Sequence, residues 1–290
     1  MLAHAGGLAL DPLQIAPAAG FAALYAVRAR TLAGQGRPVP AWRQACWYGG
    51  LAVIVASLVS PLGHLAQERF VAHMAEHLLI ADIGALALAL GLTGPLLAPL
   101  LRNPALSWLR VLAHPAAALG LWAANLVFWH LAGPHEAAVR ADAAHALQHL
   151  CFIGAGANVW LALLGPLPKP AWFGNLAKLG YIVAVRLLGT VVANVFLWAP
   201  DAFYDVYDAP DPLADQIAAG TVMMVEESIL TICLLGWLFV RSAREDSERQ
   251  ELLELAAGRG VALDERRAAR AVAAGRGEEL RRRIKGGPHG

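Results

Sequence analysis

Charge is what this sequence has least of: 16% of its 290 residues are Asp, Glu, Lys or Arg, while 58% are hydrophobic and the net charge is +1. That shortage excludes an ordinary soluble domain, which carries about a quarter charged residues, and it leaves no basic surface for nucleic acid. Cysteine is scarce too. Cys46, Cys151 and Cys233 have no paired spacing that would suggest a disulfide framework or a thiolate metal site, so they are expected to be buried small apolar residues. The first ten residues contain no Lys or Arg, and a signal peptide needs a basic start, so the first apolar stretch is expected to be retained.

What is present is apolar length. The mean hydropathy is +0.50, and a bilayer core takes about 20 helical residues to cross. Stretches of roughly that length lie at 10–28, 46–62, 71–93, 113–132, 144–164, 177–199 and 214–240. This predicts an all-α, polytopic membrane helix bundle of about seven transmembrane helices. Lys and Arg collect in short cytoplasmic loops. Arg28, Arg30, Arg37 and Arg43 fall in one loop, Arg102 and Arg110 in the next on that side, and Lys169 and Lys178 in the third. The last loop on the opposite side is acidic, with Asp201, Asp205, Asp208 and Asp211. The expected topology therefore has its N-terminus outside and its C-terminus cytoplasmic, with a membrane domain over 1–240 and a charged tail over 241–290. In the tail, two short amphipathic stretches are expected at about 245–257 and 262–273.

Within the spans, polar residues are expensive and point to function. Seven of the ten histidines, His64, His73, His77, His130, His135, His145 and His149, fall near the outer face of that topology. His73 and His77 are four residues apart, as are His145 and His149, and residues so spaced share one face of a helix. With His130 closing the fourth span, five imidazoles from three helices reach one layer and become candidate metal ligands. Imidazole suits copper, zinc or iron, and thioether favours copper(I), which adds Met74 and Met223 as softer candidates. Glu76, Gln148, Asp215 and Gln216 are expected to orient the imidazoles from behind. Deeper in the membrane, Asp82, Arg186, Glu226 and Glu227 form a second polar group, expected to be an interhelical salt bridge or, alternatively, a proton or ion path.

These residues resemble a known family. His73-Met74 with Glu76-His77, Trp129-His130, His145 with Gln148-His149 and Phe152, Tyr204 and Tyr207, and Asp215-Gln216 with Gly220 and Met223 are similar, in order over about residues 46–240, to the CtaG-type cytochrome c oxidase assembly factors. Departures fall at Ala132, His135, Asp82 and Met224. The resemblance implies a non-catalytic, multi-pass protein of the bacterial plasma membrane. It would help to make a haem-copper oxidase, by handling copper on the outer side for the binuclear CuA-type centre or its neighbour. Oxidase subunits or copper chaperones, with membrane lipid, are the implied partners. Three other readings are open. His73-x-x-Glu76-His77 has the order of inverted zinc proteases, paired histidines could ligate haem, and the buried acids could serve a transporter.

Overall fold

The computed structural model describes residues 12–106, 108, 111 and 114–286. The reading of Arg110, of the first two residues of stretch 10–28 and of the first residue of stretch 113–132 falls outside them. Among the described residues every regular element is helical. The helices are α1 (Pro12–Gly34), α2 (Ala41–Val59), α3 (Pro61–Glu68), α4 (Phe70–Gly91), α5 (Gly94–Arg102), α6 (Pro115–His130), α7 (Ala132–Arg140), α8 (Asp142–Leu164), α9 (Asn175–Trp198), α10 (Pro212–Gly258), α11 (Glu265–Ala273) and α12 (Gly277–Gly286). The chain divides between Leu230 and Thr231 into two compact units.

Helices α4, α8, α9 and α10 are long and apolar enough to cross a membrane. The number rises to six if the bent pairs α2–α3 and α6–α7 each count as one span. The first bend has a local cause. Ser60 precedes Pro61, whose ring disfavours helical backbone in the residue before it. Ser60 is accordingly extended, and its hydroxyl accepts from Leu62 N at 3.3 Å to start α3. The axis turns by 52° there. At Leu131, also extended, α6 ends and α7 leaves at 71°.

α4 is the organising element. Its middle, Leu79–Gly84, is a π-helical turn, a widening that is frequent at functional sites because it re-aims side chains. α8 packs tightly there, since Trp160 Nε1 donates to Ala81 O at 3.3 Å and a Cβ on Gly156 would collide with the same carbonyl. The C-terminal carbonyls of α4 are held by α1 and α2: Tyr25 donates to Gly91 O at 3.0 Å, and Arg43 to Leu90 O and Leu92 O at 2.9 Å.

The second unit departs from the expectation of two amphipathic stretches. The first is the unbroken end of α10, and a further helix, α12, follows α11. Leu252 and Ala256 of α10 pack with Val272, Leu280 and Ile284 into a small core, flanked by an Arg281–Glu251 ion pair at 2.7 Å. The cysteines are free as expected, but Cys46 and Cys151 are only partly buried and Cys233 is exposed.

Candidate metal centre

His73 and His77 occupy the first two turns of α4, and His145 and His149 the first two turns of α8. Their four-residue spacing turns each pair toward the other helix. His73 and His77 have ring centroids 4.3 Å apart, and His145 and His149 4.2 Å. Across the helices, His73 stacks on His145 at 5.2 Å and His77 meets His149 edge-on at 5.6 Å. One nitrogen from each of His73, His77 and His145 lies within 4.8 Å of the others. Glu76 is buried beside them, 3.4 Å from His149 Nε2 and 3.9 Å from His145 Nε2.

The hydrogen bonding defines what these rings can do. His73 Nδ1 lies 3.2 Å from Ala66 O. A carbonyl only accepts, so the proton is on Nδ1 and Nε2 keeps its lone pair. That Nε2 is buried without a partner, as are Nε2 of His145 and His149 and both ring nitrogens of His77. A buried polar atom left unpaired costs about 1–3 kcal/mol. A backbone carbonyl behind one ring nitrogen and a bare lone pair on the other is the arrangement in which imidazole ligates a metal. The donor set thus fits a borderline or soft ion such as copper.

The remaining expected residues are distributed differently. His130 does not join the three. Its Nδ1 donates to Leu126 O at 2.7 Å and its ring packs on Phe152 and Phe196; its Nε2, also buried and unpartnered, faces no imidazole of the cluster at hydrogen-bonding distance. Asp215 and Gln216 are corrections, because neither touches an imidazole. Asp215 accepts from Phe70 N at 2.7 Å and Val71 N at 3.3 Å, capping α4. Gln216 pins the 199–211 loop, accepting from Phe203 N at 2.8 Å and donating to Asp201 O at 3.3 Å. Gln148 is buried with neither amide atom paired, and Glu76 lies within 3.9 Å of two imidazoles. Met74 and Met223 pack in one buried cluster. His64 is exposed on α3.

His135, placed by the sequence among the outer-face histidines and noted as a departure from the family pattern but not among the candidate ligands, is part of the same assembly. The bend at Leu131 turns it back onto His73, with ring centroids at 4.8 Å. Its Nδ1 donates to Trp129 O at 3.2 Å, so its Nε2 accepts from the Tyr207 hydroxyl at 2.6 Å. Tyr204 stacks on its ring at 4.0 Å and donates to His130 O at 2.7 Å. Burial raises both phenols well above their usual range, so they stay protonated donors. The count of histidines was the only signal for His135, since its place depends on a helix break.

The second polar group is assembled from three helices. Arg186 of α9 reaches Asp82 of the π turn at 3.1 Å, and Glu226 and Glu227 of α10 at 2.6 and 2.7 Å. Gly189, one turn after Arg186, leaves the space that Glu227 fills, because a Cβ there would overlap its carboxylate.

The profile of the cytochrome c oxidase caa3 assembly factors matches residues 23–245. None of the curated proteins and none of the solved structures gives a significant match. The match takes in the imidazole cluster, the tyrosine loop and the buried charge group over well more than half the chain, and the chain belongs to the cytochrome c oxidase caa3 assembly factor family.

Proposed function

We propose that this protein handles copper during assembly of the oxidase, receiving the ion at the imidazole cluster on the outer face of the bacterial plasma membrane. The observation that carries the reading is the convergence of His73, His77 and His145 nitrogens within 4.8 Å, buried and bare. His73, His77 and His145 would hold the metal, with His149 beside them and Glu76 supplying a carboxylate to balance its charge. Copper bound there would be exchangeable with a chaperone or an oxidase subunit, since imidazole ligates both of its common oxidation states. The basic loops support seven crossings, with α1 the first and the C-terminus cytoplasmic. Arg43 hydrogen-bonds the end of α4 and Arg28 the start of α5, which fits a shared cytoplasmic side.

Zinc proteolysis is disfavoured by the setting of Glu76, which is 1% exposed and faces His145 and His149 where a catalytic base must reach water. Haem is disfavoured by space. The cavity that borders the cluster at His77 holds about 30 Å³, against about 300–1,000 Å³ for organic ligand sites. Metal analysis of the purified chain is the test: copper co-purifies with the wild type and is lost from His73→Ala/His77→Ala, and copper content unchanged by that double substitution overturns the reading.

A further inference from the structure

Between the imidazole cluster and the buried charge group lies a cavity of about 30 Å³, room for one or two waters or a single ion. Its lining includes His77 and His130, Met74 and Met223, and Asp82 and Glu227. The two imidazoles have nitrogens to offer. Both ring nitrogens of His77 are buried and unpartnered, and His77 is the only histidine that belongs to the three-imidazole group and also lines the cavity. Nδ1–H of His130 is committed to Leu126 O, so its Nε2 lone pair is free.

The charge group can take a cation. Asp82, Glu226 and Glu227 are three carboxylates against one Arg186, and either protons or a cation balance such an excess, since an uncompensated buried charge is strongly disfavoured. Thioether and neutral imidazole add no charge. A cation in the cavity would therefore meet neutral ligands together with carboxylates able to supply countercharge. Thioether sulfur selects soft, monovalent ions, copper(I) above all, over zinc, magnesium or calcium.

We infer that this cavity is a second metal site, distinct from the His73–His77–His145 group and joined to it through His77. It takes copper(I) through Met74, Met223, His77 and His130, with the Asp82–Glu226–Glu227 group as countercharge. The inference rests on the copper reading above and adds to it a thioether site specific for the monovalent ion. A neutral imidazole keeps one lone pair, so His77, whose two nitrogens are both unpartnered, ligates one of the two ions at a time and stands where the sites meet.

The test is anaerobic titration of the full-length chain in detergent with copper(I) against a competing chelator, repeated with silver(I) and zinc(II), and X-ray absorption of the copper-loaded protein. Met74→Leu/Met223→Leu nearly conserves volume, a swap that cores tolerate, and His73→Ala/His145→Ala spares the cavity lining. The wild type should bind two equivalents of copper(I) or silver(I) but one of zinc(II). The methionine variant should lose one equivalent of the monovalent ions and all sulfur scattering, with zinc uptake unchanged; the histidine variant should lose the other equivalent and keep the sulfur signal. One sulfur-free equivalent, unaffected by Met→Leu, overturns this inference and leaves the imidazole site standing. One sulfur-bearing equivalent unaffected by His73→Ala/His145→Ala upholds it and overturns the imidazole site. A wild type that binds no copper overturns both.

Discussion

A helix leaves its first backbone N–H groups without partners and presents the positive end of its dipole there, so a carboxylate brought to that point satisfies both. Asp215 does this for α4, one turn before His73, while Arg69 at the helix start contributes no side-chain cap. Asp215→Ala should cost about 1 kcal/mol, the usual loss of a cap, and loosen the turn that carries His73, while Asp215→Asn keeps an acceptor and recovers most of the stability. Thermal unfolding of the metal-free protein in detergent reads this directly. A variant that lost metal but no stability would show that the carboxylate acts on the imidazoles after all. The sequence marks Asp215 as polar and in motif, but not that its partner is a backbone 144 or 145 residues away. The His pairs were legible for the opposite reason, since their four-residue spacing fixes a common face within one helix. His130 and His135 were not, because the bend at Leu131 decides which way each ring turns.

At the scale of elements, the centre depends on how closely α4 and α8 approach, since each carries one pair of imidazoles. The approach is limited at Gly156 against Ala81 of the π turn. Gly156→Leu should push the helices apart and cut copper affinity at least tenfold with every ligand still present. Gly154→Leu, on the same helix with no atom near its Cβ, should leave affinity unchanged. Equal affinity in both variants would mean that the helix contact does not set the site. Where the chain is described, the apolar stretches fall mainly on helices, with 46–62 interrupted at Ser60 and 113–132 at Leu131, because length and hydropathy are local properties. The break at Leu131 and the π turn are not local. Burial was also hard to read: Cys233 is exposed beside Ile229 and Ile232, themselves exposed, because in lipid an apolar side chain gains nothing by facing inward.

For the molecule as a whole, each unit keeps its own interior. The tail's helices close a small apolar core, and α12 escaped the sequence reading because its two buried apolar residues, Leu280 and Ile284, stand among charges. The membrane unit instead ties α4, α9 and α10 together through charge, with Arg186 at the centre of three carboxylates and itself 3% exposed. The arrangement is asymmetric, and the asymmetry predicts a ranking. Arg186→Gln strands three acids in the interior, and breaking a buried pair from one side costs about 3–5 kcal/mol. Glu226→Gln removes one charge from an excess and should cost far less, because Arg186 keeps Asp82 and Glu227. Restoring neutrality in Arg186→Gln with Asp82→Asn, Glu226→Gln and Glu227→Gln should recover part of the loss. Yield from membranes and thermal unfolding in detergent measure all three. If Arg186→Gln unfolds at the wild-type temperature, the carboxylates are already neutral in the folded protein and the guanidinium is not what holds these helices together.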